Sequence, residues 1–192
     1  MKKKLGYALG FDLSLSAPAA VALPLDWKPG DWKRVKTWLL KPKGPKSDDT
    51  RGQYERYGII SDWAWALTGE LGAPGLYGIE QYAFSRNNAQ ASKLMELGGI
   101  VRLRLFQARD MIAQVVSTSP ARKLFLGDVP QSNPKVAVQL ALFNRCGAPK
   151  TWDENQCDAF IVANFMLSGF GKPVLTIATK EQAAEFWKRR RR

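Results

Sequence analysis

A mixed α/β fold, with one central sheet and helices on both of its faces, is what this sequence predicts, and three observations lead there. Short apolar runs of strand length open the chain, similar runs return later between stretches of helical periodicity, and no internal repeat or linker composition divides the 192 residues. A chain of that length buries enough apolar surface to stand without disulfides or a structural metal. Residues 1–192 are therefore expected to form a single domain, with a basic C-terminal helix or tail at about 179–192.

Tyr7 to Asp12 reads as a buried strand, and Leu13-Ser14-Leu15-Ser16-Ala17-Pro18 as the turn into a second strand, Ala19 to Leu25. Arg34 to Leu40 is a third strand, and the Lys/Pro/Gly segment Lys41 to Ser47 is a loop. A helix over roughly Asp49 to Gly69 follows, because Tyr57, Ile60, Ala64 and Leu67 recur at helical spacing. Gly69 to Gly75 breaks the chain before the apolar run Leu76 to Glu80. A long helix is expected from about Asn88 to Gln107, with Gly98-Gly99 inside it as a close packing point or a weak spot, and Ala113 to Ser117 returns as a strand. Ser119-Pro120 starts a short helix with proline at its first position, and Ser132-Asn133-Pro134 starts another that runs to about Phe143. The last long helix spans Thr151 to Leu167, followed by Lys172 to Ile177 as a strand or extended arm and then a basic terminal helix. Three antiparallel strands, then strands added through helical crossovers, match a ribonuclease H-like fold.

Composition narrows the chemistry. The chain contains no histidine, which removes the usual general base, the usual zinc ligand and every Ser-His or Cys-His nucleophile. Cys146 and Cys157 are too few for a disulfide framework or a zinc site and read as buried thiols. No stretch approaches the ~20 apolar residues that span a bilayer. Met1-Lys2-Lys3-Lys4 begins like a signal peptide but lacks the apolar segment that would complete one, so a cytosolic location is expected. Basic residues outnumber acidic ones 29 to 17, a formal charge of +12 that favours a polyanionic partner such as nucleic acid. Seven of the basic residues fall between Lys28 and Lys46, and the chain ends Lys188-Arg189-Arg190-Arg191-Arg192. A solvated face and a frayed tail explain these runs equally well.

The acids carry more information. Asp12 ends the run Leu9-Gly10-Phe11, and Glu80 ends Tyr77-Gly78-Ile79. A buried carboxylate needs a partner, which for Asp12 is either a metal ion or the N–H groups of the adjoining turn. Asp158 opens the most apolar part of the last helix, with Glu154 one turn earlier on the same face. A like-charge pair at that spacing costs ~0.2–0.5 kcal/mol on an isolated helix and more away from water, so a shared cation would relieve it. Thr151-Trp152-Asp153-Glu154 also reads as a capping box, with Thr151 at the N-cap and Glu154 at N3. Four carboxylates from strand, strand and helix suit two divalent ions ~3.5–4 Å apart, the arrangement used in phosphodiester hydrolysis.

Three segments, in order, resemble the motifs of RuvC-type Holliday junction resolvases (crossover junction endodeoxyribonucleases), and of their phage-type branch in particular. Leu9-Gly10-Phe11-Asp12-Leu13-Ser14-Leu15-Ser16 is similar to the family's first-strand motif, with Leu13-Ser14 where Pro-Gly is common. Gly78-Ile79-Glu80-Gln81, followed by Arg86-Asn87 and Lys93-Leu94, is similar to the second without a gap. Asp153-Glu154-Asn155-Gln156-Cys157-Asp158-Ala159 resembles the last-helix motif, and together the resemblance covers about residues 5 to 168. It implies a ribonuclease H-like fold, a homodimer, two Mg²⁺ ions per site for which Mn²⁺ substitutes, and paired symmetric nicks that leave 5′-phosphate and 3′-hydroxyl ends. It implies action on branched DNA in recombination and repair, in the host cytosol if the chain is phage-encoded.

Carried over residue by residue, the resemblance makes Asp12, Glu80 and Asp158 metal ligands. Glu154 is the fourth, with Asp153 and Asn155 as alternatives, because relatives often place it three residues before the final aspartate, where this chain has Asn155. The family's aromatic wedge falls at Ala83, flanked by Tyr82 and Phe84, either of which can serve, and Arg86 lies close by. Ser119-Pro120-Ala121-Arg122-Lys123 is similar to the stretch that brings a basic residue near the cleaved phosphate, which selects Lys123 as a catalytic residue and then Arg122. Lys135, at the start of a helix, is a further phosphate contact. Two other readings remain: a nuclease of the same fold acting on other branched, flapped or RNA-containing substrates, and a non-catalytic nucleic-acid-binding module, for which Asn155 is the best argument.

Overall fold

Strand β1 (Tyr7–Asp12) is an apolar run ending on an acid, and in the computed structural model it becomes the middle of a five-stranded sheet. The structure describes residues 6–43, 49–72, 75–81, 88–127, 133–169, 171 and 175–176. Strand β2 (Ala19–Pro24) returns antiparallel beside β1, with Asp12 opposite Ala19, and β3 (Lys36–Leu39) pairs antiparallel with β2 at the outer edge. On the other side of β1 lies β4 (Leu76–Glu80), parallel and in register so that Gly10 faces Gly78, and then β5 (Gln114–Val116), parallel to β4. The order across the sheet is β3-β2-β1-β4-β5. Parallel neighbours cannot be joined by a hairpin, so the chain reaches β4 through helix α1 (Thr50–Leu71) and β5 through α2 (Asn88–Arg109). Helices α3 (Thr118–Leu126), α4 (Pro134–Arg145) and α5 (Glu154–Gly169) follow.

Side chains alternate across a strand, and both faces of this sheet are covered. Leu9 and Phe11 of β1, with Tyr77 and Ile79 of β4, pack against Tyr57, Ile60 and Ala64 of α1 and Leu97, Val101 and Leu105 of α2. Ala8 and Leu76 face the opposite way, toward Leu124 and Phe125 of α3, Leu142 of α4 and Phe160 and Val162 of α5. Helix α5 has no polar stripe, since every residue from Cys157 to Leu167 is buried. A helix apolar on all sides belongs inside, and α5 lies against β1, β2 and β4 with α3 and α4 along its flanks.

The approach of α5 to the sheet is set by Gly10 and Gly78. A Cβ on Gly10 would lie 2.3 Å from the Ala159 carbonyl oxygen and 2.5 Å from the Ala163 nitrogen. A Cβ on Gly78 would meet Val162 Cγ1 at 2.6 Å and Met166 Cγ at 2.9 Å. Asp12 and Glu80 stand two residues beyond these glycines, so the period of two places both acids on the face that α5 covers.

Several boundaries differ from those the sequence predicts, each for a local reason. The third strand starts at Lys36 instead of Arg34, because Trp32–Arg34 form a 3-10 turn in which Arg34 pairs with Asp26 and Asp31. Pro120 is the third residue of α3, not the first, since that helix already begins after Ser117. Helix α5 begins at Glu154 rather than Thr151. Its capping box is Asp153 with Gln156: Gln156 N–H donates to Asp153 Oδ1 at 2.8 Å, and Asp153 N–H donates to Gln156 Oε1 at 3.0 Å. Thr151 and Glu154 therefore do not form the cap. Gly98-Gly99 passes through α2 without interrupting it. Of the stretch 172–177 only Leu175 and Thr176 are described, and neither lies in a strand; Asn164 of α5 accepts from Leu175 N–H and donates to its carbonyl, both at 2.8 Å. The basic terminal segment at 179–192 lies outside the described residues. None of the described helices is long and apolar enough to cross a membrane.

Gly10→Ala is expected to destabilise the fold by about 3 kcal/mol or more, the upper end of overpacking penalties, because the added methyl meets helix backbone that cannot swing aside. Gly58→Ala in α1, where a Cβ meets nothing within 4 Å, should instead add up to about 1 kcal/mol through helix propensity. Urea unfolding of the two variants measures the contrast.

Candidate active site

The acids that end β1 and β4 follow directly on the last paired residues, Phe11 and Ile79, and so emerge side by side at the same end of two parallel strands. Asp158, in the second turn of α5, precedes the Ala159 carbonyl that rests on Gly10. Carboxylate oxygens of Asp12, Glu80 and Asp158 thereby converge to within 4.8 Å of one another. Asp12 is 5% exposed and Asp158 1%. Asp12 Oδ2 is buried without a hydrogen-bond partner.

Asp12 and Glu80, with Asp158 adjoining them, line an open cleft of about 390 Å³ together with Ser14, Gln90, Lys135 and Asn155, although Asp158 itself is not part of the lining. The β1–β2 turn that forms one wall is held from three directions. Ser14 Oγ accepts from the N–H groups of Ser16 and Ala17, Arg56 Nη1 donates to the Leu15 carbonyl at 3.0 Å, and Asn155 Nδ2 donates to the Ala17 carbonyl at 2.8 Å. Gln90, Lys135 and Asn155 belong to the first turns of α2, α4 and α5, so three helix N-termini border the cleft. Their dipoles favour negative charge there.

Two unit charges at such separations repel by about 3 kcal/mol at an effective dielectric of about 20, more than an ordinary hydrogen bond offsets. The carboxyl groups respond accordingly. Burial, then Glu80 beside it and Asp158 beyond, hold Asp12 well above the usual carboxylate range. Burial raises Glu80 too, although the Asp12 contact opposes the shift.

Asp158 is compensated differently. Arg122 Nη2 on α3 lies 2.9 Å from both of its oxygens, and Lys135 Nζ on α4 lies 3.3 Å from Oδ2. Lys135 also reaches Glu154 Oε1 at 3.1 Å. Burial alone pulls the Lys135 ammonium down, but Asp158, Glu154 and Asp12 outweigh it and carry its pKa to about 12.

The structure thus brings together Asp12, Glu80 and Asp158, with Lys135 and Asn155 at the cleft wall. Glu154 stands apart from the three acids, half-exposed and turned to Lys135, because it opens α5 while Asp153 and Gln156 do the capping. The relief expected of a metal between Glu154 and Asp158 comes here from the Lys135 ammonium. Of the other two fourth-ligand candidates, Asp153 is used as the helix cap and Asn155 faces the cleft. Arg122 is turned to Asp158 rather than outward, and Lys123, half-buried on α3, does not line the cleft. Tyr82, Phe84 and Arg86 lie outside the described residues. Sequence reasoning missed the pairing of Arg122 with Asp158; a buried aspartate demands a counter-charge, yet 29 basic residues offered no spacing that selected one 36 positions away.

A carboxyl group whose folded pKa is raised binds more protons in the folded state than in the unfolded one, so its contribution to stability falls as pH rises above the ordinary carboxylate value of ~4. In chelator the protein should therefore lose stability from about pH 4 toward neutrality, and Asp12→Asn should flatten that decline and raise the melting temperature at pH 7. Added Mg²⁺ should stabilise the wild type and not the variant. Calorimetry across pH, with and without Mg²⁺, measures all of these.

No protein-family model matches this chain, and no curated protein sequence does. Solved structures do. The chain is similar to Thermus thermophilus RuvC in complex with a Holliday junction substrate, with a TM-score of 0.63 at 15% identity, covering 88% of this chain and 99% of that one. A second structure of Thermus thermophilus RuvC gives a TM-score of 0.59 at 17% identity over the same shares of the two chains. Fowlpox virus resolvase with Holliday junction DNA superposes less well, at 0.45 and 11% identity over 86% of this chain and 99% of that one. A mixed five-stranded sheet in this order, with helices on both faces, is accordingly a RuvC-like, ribonuclease H-like fold.

Proposed function

We propose that the chain is a divalent-metal-dependent endodeoxyribonuclease that resolves four-way DNA junctions. The observation that carries the reading is the buried, unpartnered Asp12 Oδ2, set among Glu80 and Asp158 at the end of an open cleft. A buried carboxylate oxygen without a partner, enclosed among other acids, is what a cation site looks like before the cation arrives. The donor set is all oxygen, which suits Mg²⁺, with Mn²⁺ as a substitute. Asp12, Glu80 and Asp158 would hold the ion. Bound there, it supplies an activated water and neutralises charge on the phosphate under attack.

The remaining residues bind and orient. Lys41 and Lys43 continue β3 past Leu39, which pairs with Ala19 opposite Asp12, so both lysines stand at the sheet end where the acids emerge. With Lys123 and Lys135 they are suited to hold the DNA backbone, which fixes register without reading sequence. Tyr82, Phe84 and Arg86 follow Glu80 directly and are assigned to the junction centre on the strength of the motif resemblance alone, as are a fourth-ligand role for Glu154, the phage-type branch and a cytosolic site of action. Similarity to a RuvC bound to a Holliday junction substrate supports the substrate class through the fold. Paired symmetric nicks require two sites, hence a homodimer. Helix α2 supports one, since Met95, Gly99, Leu103 and Phe106 share a face, Met95, Leu103 and Phe106 are exposed, and a Cβ on Gly99 would meet nothing within 4 Å.

One observation favours a second reading. Asn155 faces the cleft where relatives often carry a ligand, and Arg122 already occupies Asp158, as in a nucleic-acid-binding module without catalysis.

Incubating the protein with Mg²⁺ and synthetic four-way junction, flap, RNA–DNA hybrid and linear duplex separates these readings. Paired nicks confined to the junction are expected. Asp12→Asn and Glu80→Gln should each lower the rate at least about a hundredfold, the order lost when one preorganised electrostatic contact to the transition state is removed. Tight junction binding without cleavage in Mg²⁺ or Mn²⁺ would establish the binding module, and preferential cleavage of flap or hybrid would move the substrate within the same fold.

Leu103→Glu combined with Phe106→Glu is expected to yield a monomer by light scattering that still nicks junctions but no longer in symmetric pairs. A dimer that persists through both substitutions would place the interface elsewhere.

A further inference from the structure

We infer that this site takes one divalent ion, not two, because Arg122 and Lys135 occupy the electrostatic place of the second. The inference rests on reading the cleft as a metal site and departs from the two-ion arrangement that four carboxylates suggest. Three acids form the site, Asp12, Glu80 and Asp158, and two basic side chains, Arg122 and Lys135, are in direct contact with Asp158. Three negative charges against two positive ones leave a deficit of one, which one divalent ion already covers and a second would far exceed.

The contacts say where the ion belongs. An ionised carboxylate offers about four lone-pair directions. On Asp158, Arg122 Nη2 takes one from each oxygen at 2.9 Å and Lys135 Nζ takes another at 3.3 Å, which leaves one. Glu154, the other acid of that helix turn, is held by the same ammonium. Asp12 and Glu80 make no ion pair among the described residues, and Asp12 Oδ2 has no partner at all. Asp12 and Glu80 would therefore hold the ion, with Asp158 offering its remaining direction.

Both cations are committed to these places. Arg122 is largely withdrawn from solvent, and its Nε is buried without an acceptor, so the guanidinium stays on Asp158 even with one donor unsatisfied. Lys135 stands in the first turn of α4, where the helix dipole opposes a positive side chain, and the acids of α5 are what hold it there. Arg122 and Lys135 act here as positioning residues: they fix Asp158 and set the charge that the ion completes.

Counting bound Mn²⁺ tests this without reference to activity. The full chain is titrated with Mn²⁺ at neutral pH, and free ion is followed by electron paramagnetic resonance. Wild type is expected to saturate at one ion per chain. Lys135→Met should bind that ion at least about tenfold more tightly, since a nearby positive charge is gone, and should accept a second. Lys135→Arg, which restores the charge, should return the count to one. Circular dichroism confirms that each variant is folded, and the half-buried position of Lys135 makes its removal easier to tolerate than that of the more deeply buried Arg122. Two ions on wild type would overturn the inference while leaving the metal site intact, as would a Lys135→Met chain that matches wild type in both count and affinity. No bound Mn²⁺ on wild type would overturn the metal site and this inference together.

Discussion

The closeness of α5 to the central strands is the constraint on which the rest of the molecule depends. With hydrogen alone at Gly10, the helix backbone descends until the Ala159 carbonyl and Ala163 nitrogen lie where a side chain would otherwise stand. Gly78, in register on the neighbouring strand, extends the same shelf beneath Val162 and Met166. A larger residue at either position would lift the helix by ångströms. Asp158 would rise with it, and the spacing that brings its carboxylate within 4.8 Å of Asp12 and Glu80 would be lost. The glycines therefore act at a distance from the chemistry: they set the height of the third acid above the other two.

That height has an electrostatic consequence. Three acids enclosed by helix and sheet lose most of their hydration, and such groups either retain protons or acquire cations. The two halves of the site take different routes. Burial raises the pKa of both Asp12 and Glu80, whereas Asp158 is matched to Arg122 and Lys135 from two separate helices. Removing one partner of a buried pair leaves an uncompensated charge, so Arg122 is bound to Asp158 for structural reasons as well as functional ones. Only the Asp12 and Glu80 half is left with a demand that an external ligand can meet. The two demands arise on strands with few polar neighbours, which is why they are not satisfied from within.

How much of this the sequence disclosed depended on whether the information was local. Asp12 and Glu80 were legible because an acid at the end of an apolar strand is anomalous on its own terms, and Asp158 because it interrupts an otherwise apolar helix. The order of elements was legible for the same reason, since periodicity is a property of short windows. The start of α5 was not, because Thr151 and Asp153 each suit an N-cap and each has a side chain three residues on that can complete a box; the choice fell to Gln156, whose amide also reaches Thr37 Oγ1 at 3.2 Å. That long-range contact is invisible in a window of four residues, and with it went the expectation that Glu154 closes a capping box with Thr151. The pairing of Arg122, which the motif resemblance selects only as a base near the cleaved phosphate, was likewise not legible, since its partner lies on another helix.

The same division explains how a fold is retained when about one residue in seven matches. The location of the cleft follows from topology: β1, β4 and β5 run parallel, so their carboxyl ends open on one edge, and the helices packed against them begin there. Ligand sites in open sheets collect at that edge because strand ends leave room and helix N-termini favour anions. Maintaining such an edge requires apolar alternation and two glycines, a demand that many sequences meet. The charges that decorate it are under no such geometric obligation. Arg122, Lys135 and Asn155 each project from the first or second turn of a different helix, outside the apolar packing between helix and sheet. The scaffold therefore fixes where an ion or a phosphate can be met, while these few side chains decide how much charge is waiting for it.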